Sequence, residues 1–394
     1  MTQIKLIKNH FLKEKETLKS LAKFICKAEK LSMGEECKKF ENSFSNFQKR
    51  NYTVMVSNGS SANLGLIQAL INLKRLKPGD KVAFSAVTWS TNVMPIIQLG
   101  LIPIPVDVDI NTLNVSSENF IKTLSKHQDI KAFFITNILG FCSDIDIVQE
   151  ICNEKKIILI EDNCESLGSE YKEKKLGNFG IASTCSFFVG HHLSTIEGGI
   201  ITTDDEELYR MTQLIRAHGW NRDLSIDKKD KLTGKHNIDP FYDPFTFYEL
   251  AYNMRPTEIS GFIGNIQMPL LEDSIDKRAQ NYAKFSKIIE NKSDFYYIYN
   301  KSLNRVSNMA FPILSKTKAN FLRAKNLFTK ANIEIRPIVS GNMVRQPFFI
   351  KNVDNVKYNL ENSDIIHEFG FYFPNNPELT KNELNIILNL LNSL

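Results

Sequence analysis

Between residues 53 and 204 the chain alternates short β-rich runs with segments of helical periodicity, and nothing else in it constrains the fold as strongly. The β-rich runs are Thr53–Ser57, Lys81–Ser85, Ile102–Val108, Lys131–Asn137, Ile157–Asp162, Ser183–Phe188 and Gly199–Thr203. Helical segments fall at Ala62–Leu73, Thr91–Leu99, Asp144–Asn153 and Glu206–Ala217. Several of the runs are almost continuously apolar rather than alternating, as strands covered on both faces must be. Strands that alternate with helices predict an α/β fold with a mostly parallel, doubly wound sheet.

The chain changes character beyond this region. Asn221 to Asp243 is polar and aperiodic and reads as a long loop, of the kind that serves as a flap or an oligomer contact. After about Pro269 come helical segments at Lys277–Glu290 and Lys318–Thr329, a strand at Asn332–Ile338 and a terminal helix at Lys381–Leu391. The expected division is a large domain over residues 1–268 and a small α+β domain over residues 269–394, within the reach of a 394-residue chain.

Charge and cysteine usage narrow the class. The 49 basic and 44 acidic residues leave +5, too mild and scattered for a nucleic-acid partner. The Lys-rich stretch from Lys5 to Lys30 is interleaved with Glu and Leu and reads as a solvated helix face. No run reaches membrane-span length, and Met1 to Ser20 has no signal-peptide core. Cys26, Cys37, Cys142, Cys152, Cys164 and Cys185 form no C-x-x-C pair, so we expect a reduced, cytoplasmic protein without a metal site.

Several constellations carry chemistry. Ser57-Asn58-Gly59-Ser60-Ser61-Ala62-Asn63 follows a strand and opens a helix, where backbone N–H groups and hydroxyls can cradle a phosphate near Gly59 and Ser60. Taken alone, the same turn reads better as an ordinary serine-capped helix start, and the phosphate reading wins only in combination with the motifs that follow. Ile160-Glu161-Asp162-Asn163-Cys164-Glu165-Ser166 ends an apolar strand, the edge at which open α/β sheets bind ligands. Arg216-Ala217-His218-Gly219-Trp220-Asn221-Arg222 and Tyr252-Asn253-Met254-Arg255 bring forked cations suited to a diphosphate or a carboxylate.

Cys185-Ser186-Phe187-Phe188-Val189-Gly190-His191-His192-Leu193-Ser194-Thr195-Ile196-Glu197-Gly198-Gly199 resembles the cofactor-lysine segment of the DegT-like nucleotide-sugar aminotransferases, which use pyridoxal phosphate. In that family three residues separate Ser-Phe from the lysine, which lies six positions before Glu-Gly-Gly, a position that here is His191. A histidine cannot hold the cofactor covalently but can move protons.

The resemblance runs in order from about residue 29 to 340. It implies a type I pyridoxal phosphate-dependent transferase fold, whose large domain has a mostly parallel seven-stranded sheet. It also assigns roles. Asp162 would pair with the ring nitrogen, Trp89 lie on the ring face, and Gly59, Ser60 and Ser186 hold the phosphate. Glu165 stands where the family often has Gln or His, placing a carboxylate near the ring. Asn253 would reach the phosphate of a neighbouring subunit, which requires a homodimer. Glu29, Lys30, Leu31, Ser32, His218, Arg222, Arg255 and Glu334 would line the substrate.

The implied reaction is removal of the C3 hydroxyl from a GDP-linked 4-keto-6-deoxy sugar, hexose or heptose, with His191 as base and then acid. Pyridoxamine phosphate is the working cofactor, regenerated by L-glutamate, with ammonia released. An unperturbed imidazole, pKa about 6.5, would suit both roles, while His192 reads as packing. The alternatives are a C4 aminotransferase that tolerates histidine, an iron–sulfur dehydrase needing a reductase, and a binding protein that has lost catalysis. The wide cysteine spacing disfavours the second.

Overall fold

The structure is a computed structural model that describes residues 3–353 and 357–394. At its centre lies a sheet of β1 (Tyr52–Val56), β2 (Lys81–Ser85), β3 (Ile102–Val106), β4 (Ile130–Thr136), β5 (Ile158–Asp162), β6 (Ala182–Ser186) and β7 (Gly199–Thr203). Their spatial order is β1-β7-β6-β5-β4-β2-β3. Strands β2 to β6 pair in parallel, whereas β7 runs antiparallel to both β1 and β6. The expected seven-stranded, mostly parallel sheet is present.

Its two faces follow from the two-residue strand period. Ala83, Ile104, Phe133, Ile135 and Leu159 join one core with Phe120, Leu124, Val148 and Cys152 from the helices covering them. Val82, Phe84, Ala132, Phe134 and Ile160 join the opposite core with Leu66, Ile67, Leu70 and Ile215. Phe133 and Phe134 are both fully buried, on opposite faces; truncating either to alanine would cost about 3–5 kcal/mol. Pro103 and Pro105 lie in β3, an edge strand, where a missing N–H breaks no interior ladder.

Because β2 to β6 are parallel, their C-terminal ends share one edge, and β1 runs in the same direction as β6. Asp162 closes β5, Ser186 closes β6, and the helix Gly59–Asn72 starts just beyond β1 at that edge.

A second, antiparallel sheet pairs Ala310–Leu314 with Gly370–Pro374 and the latter with Arg336–Pro337. Phe285, Phe311, Phe328, Phe371 and Phe373 pack about it. The strand expected at Asn332–Ile338 is thus reduced to two residues. Asn332 and Val339 adopt positive φ, Ile333 pairs instead with Ile4, and Pro337 has no N–H to give. The segment read as a long loop contains a helix, Ile226–Lys235, with no buried residue. The helix expected at Thr91–Leu99 is split into a 3-10 turn, Ser90–Asn92, and a short helix, Met94–Gln98, with Pro95 in its first turn. No helix among the described residues is long and apolar enough to cross a membrane.

Candidate active site

Asp162 is 3% exposed, and three donors fix its carboxylate. Asn63 and Asn92 donate side-chain N–H groups to Oδ2 at 2.9 and 2.8 Å, and the Cys164 N–H reaches Oδ1 at 2.9 Å. Thr184 on β6 in turn donates to Asn63 Oδ1 at 2.6 Å, which fixes that amide's orientation. Neighbouring Glu161 points into the protein and has a different task. Its carboxylate accepts the Gly177, Phe179 and Gly180 N–H groups at 2.8, 2.7 and 2.7 Å and the Asn137 amide at 3.0 Å. One carboxylate of the pair therefore faces the ligand edge and the other pins a loop.

The helix after β1 is capped by Asn58, whose Oδ1 accepts the Ser61 N–H at 2.8 Å, and not by a serine. The first N–H groups of a helix have no intrahelical partner, so those of Gly59 and Ser60 remain for a ligand. A Cβ on Gly59 would come within 2.6 Å of the Ser186 Cβ. Only glycine lets the helix start close on the Ser186 hydroxyl, so N–H and O–H donors converge there as an anion would require. Trp89 is 54% exposed on the rim beyond β2, far from a core indole. Its carbonyl accepts the Asn92 N–H at 3.1 Å, which ties the indole's turn to the Asp162 network. These residues fit a phosphorylated pyridine, with an anion cradle at one end and a fixed carboxylate for a ring nitrogen at the other.

His191 lies on the loop joining β6 to β7, held by its N–H to the Phe188 carbonyl at 2.9 Å. The ring is half-buried, and its Nδ1 is enclosed without a protein partner. Burial lowers its pKa to about 4; the Asp162 charge opposes that shift and Arg278 adds to it. The unperturbed value expected from sequence is corrected accordingly. Burial likewise raises Glu165 to about 7, with the Asp162 charge adding to the rise and the Leu139 N–H, at 3.0 Å, opposing it.

The remaining expected residues gather elsewhere. Lys30, Ser32, Trp220, Arg222, Asn253 and Arg255 line one cleft, and His191, Asp162 and Ser186 do not belong to it. Arg222 stacks 3.8 Å from the Trp220 ring, with the His218 ring 4.9 Å away on another side of the indole. Arg255 donates to Asn253 Oδ1 at 3.0 Å. The Leu31 carbonyl accepts the Glu258 N–H, and Ser32 pairs with Thr257, so the segment from exposed Glu29 to Ser32 is laid against this cleft. Glu334 joins neither group directly. It accepts the Leu6 N–H at 2.8 Å and Arg336 Nη2 at 2.7 Å, and Arg336 lines a cavity beside His191.

Sequence reasoning missed Asn63, Asn92, Thr184 and Arg278. Asn63 carried a signal, since it is a polar residue amid the apolar run Ala62 to Leu73 and is 1% exposed. Arg278, 5% exposed, stood in a charged helix that gave none. Among the described residues no three His, Cys, Asp or Glu side chains gather as a metal-ligand set, and all six cysteines are free.

A family model described as the DegT/DnrJ/EryC1/StrS aminotransferase family matches residues 12–392. The chain belongs to this family. Within the DegT/DnrJ/EryC1/StrS group it is similar to the GDP-4-keto-6-deoxy-D-mannose 3-dehydratase of Escherichia coli O55:H7, 39% identical over 356 residues, covering 87% of this chain and 88% of that protein. The enzyme of the same name from Yersinia pseudotuberculosis is 36% identical over 365 residues, covering 90% and 91%. A crystal structure of GDP-4-keto-6-deoxymannose-3-dehydratase with a trapped PLP-glutamate geminal diamine superposes with a TM-score of 0.89 at 34% identity, covering 98% of this chain and all of that one. The fold is therefore the type I pyridoxal phosphate-dependent transferase fold expected from the motifs.

Proposed function

We propose that this chain removes the C3 hydroxyl of a GDP-linked 4-keto-6-deoxy sugar, with pyridoxal or pyridoxamine phosphate as cofactor and L-glutamate as amino donor. The sugar loses one oxygen atom, glutamate becomes 2-oxoglutarate, and ammonia is released. The observation that carries the reading is the imidazole of His191, close enough to Asp162 to feel its charge, at the position where the family's aminotransferases carry lysine. Both named dehydratase relatives, matched over nearly their whole length, point the same way.

When bound, the cofactor supplies an amine for the C4 ketone and a ring that withdraws electrons. The protein's residues do the rest. Gly59, Ser60 and Ser186 would hold the phosphate, Asp162 would keep the ring nitrogen protonated, and Trp89 would cover the ring. Glu165, near half-protonated at neutral pH, would lie at the ring's polar edge. His191, neutral at working pH, would take a proton at the C4′ carbon of the cofactor. Once protonated between burial and Arg278 it is a strong acid, ready to pass that proton to the departing C3 oxygen.

The second cleft would hold the substrate and amino donor through Lys30, Ser32, Arg222 and Arg255, with Glu29, Leu31 and His218 beside it, and Glu334 would reach the substrate from the Arg336 side, near His191. In a homodimer this cleft of one subunit faces the cradle of the other, and Asn253 completes the partner's phosphate site. Residues 1–268 form the cofactor domain and residues 269–394 the small domain of each subunit, a cytoplasmic enzyme.

The test is to incubate the protein with pyridoxal phosphate, glutamate and GDP-4-keto-6-deoxymannose and to weigh the product. A sugar lighter by one oxygen, with free ammonia, is expected; a C4 amino sugar without ammonia would replace the reading by transamination. His191→Lys should become covalently linked to the cofactor, trapped by borohydride, and shift the product towards the amino sugar.

A further inference from the structure

Asp162, at the end of β5, is gripped by residues from separate parts of the chain. Asn63 comes from the helix Gly59–Asn72, Asn92 from the 3-10 turn Ser90–Asn92, and Thr184, which braces Asn63, from β6. Asn63 is 1% exposed, and Asn92 and Thr184 are fully buried. An ionised carboxylate offers only acceptors, so each amide must turn its N–H side to Oδ2, at 2.9 and 2.8 Å. The Thr184 hydroxyl fixes the other end of Asn63, donating to its Oδ1 at 2.6 Å. Asn92 has no such support, and its own Oδ1 is buried without a partner. A buried acceptor left unmade is costly. A residue kept there only to fill space would be apolar, so the amide of Asn92 is explained by what it gives to Asp162.

The two amides also discriminate between the carboxylate's oxygens. Each carboxylate oxygen accepts at about two lone-pair sites, and both sites of Oδ2 are taken by side-chain N–H groups. Oδ1 accepts one backbone N–H, that of Cys164 at 2.9 Å. The Cys164 thiol also bonds to the carboxylate. Burial, and after it the Asp162 charge, raises that thiol well above its ordinary value, so it stays a weak S–H donor that a stronger one displaces. The position open to a strong donor is therefore on Oδ1.

We propose that Asn63 and Asn92 are positioning residues for Asp162: by filling Oδ2 they leave Oδ1 for the ring nitrogen of the cofactor, and their N–H groups keep the shared proton on that nitrogen. A proton between a pyridine nitrogen and a carboxylate in a buried site can rest on either partner. Resting on nitrogen leaves the carboxylate charged, and hydrogen bonds to the charged form favour that state. With Oδ2 stripped of a donor, the neutral pair of pyridine and carboxylic acid gains, and the ring withdraws electrons less strongly. The inference rests on the fit of the site to a pyridine cofactor and is independent of whether the product is a deoxy or an amino sugar.

Two measurements on the holoenzyme test this without turnover. In a crystal structure of the wild type with pyridoxal phosphate, the ring nitrogen should lie within hydrogen-bond distance of Asp162 Oδ1 and not of Oδ2. Contact with Oδ2 instead overturns the proposal, and this arm needs no variant to fold. With ring-¹⁵N pyridoxal phosphate, the NMR signal of the wild-type complex at neutral pH should sit at the protonated position. In Asn92→Leu, and separately in Asn63→Leu, it should move towards the unprotonated position. Turnover should show kcat lowered on the order of ten-fold, the loss expected of one hydrogen bond to a charged group, with the sugar KM unchanged. A signal that stays at the protonated position in both variants overturns the proposal, even where kcat falls, because a merely structural role would leave the ring proton in place. Failure of the cofactor fit itself is separate: the wild type would then bind no pyridoxal phosphate in equilibrium dialysis, and this inference would fall with it.

Discussion

A half-buried imidazole held near pKa 4 makes stability depend on pH, and His191→Asn isolates that dependence. In the unfolded chain a histidine titrates near 6.5, whereas here burial, with Arg278, lowers it to about 4. The folded pKa is the lower one, so between these values the unfolded chain binds the extra proton. The contribution of His191 is therefore fully present above about pH 6.5 and is lost as pH falls towards 4. A shift of roughly 2.5 units at 1.36 kcal/mol per unit amounts to about 3 kcal/mol across that window. His192 is shifted in the same direction but is present in both proteins and cancels. Urea unfolding of cofactor-free wild type and His191→Asn, at one protein concentration and at half-unit steps from pH 4 to 8, should give curves that run parallel above pH 7. Below that they should converge, the wild type losing about 3 kcal/mol more than the variant by pH 4. Parallel curves throughout, or a His191 ring signal that titrates near 6.5, would refute the burial argument. The neutral base inferred for the reaction would then lose its physical cause.

Three further outcomes are expected. Glu161→Leu strands three buried backbone N–H groups and removes one of the two acceptors of the Asn137 amide. At about 1–3 kcal/mol each, soluble expression should collapse, whereas Glu161→Gln should fold with a lowered Tm; a stable leucine variant would contradict the assignment. Gly59→Ala forces a Cβ to within 2.6 Å of Ser186. Equilibrium dialysis should show pyridoxal phosphate binding about ten-fold weaker or worse, the equivalent of about 1–3 kcal/mol of overpacking, with little change in Tm. Mixing Asn253→Ala with His191→Asn should restore part of the activity through hybrid dimers with one intact shared site, and no recovery after proven subunit exchange would exclude a site completed in trans.

The parts of this molecule that could be read from sequence are those whose cause is local. Strand β4 announces itself because Phe133 and Phe134 must both be buried, and Asp162 and Ser186 follow from ending such strands at the ligand edge. What escaped depends on partners distant in the chain. Asn332–Ile338 has the composition of a strand, yet Ile333 finds Ile4, more than three hundred residues away, and the segment bends out of the sheet. Arg278 has the composition of a surface cation, yet carbonyls of Met309 and Asn375 draw its guanidinium inward. The same distinction applies to the site. Replacement of the family's lysine by His191 is visible in fifteen residues of sequence and points to the class of chemistry. The value at which that imidazole titrates is not visible there, because it is set first by burial, with the Asp162 charge opposing the shift and Arg278, distant in the chain, adding to it. An imidazole in water would be about half-protonated near pH 6.5 and a poor base below it. Buried in the fold, with Arg278 adding to the effect, it stays neutral down to about pH 4. The motif thus names the residue, and its burial supplies the neutral imidazole that the proposed role as base and then acid requires.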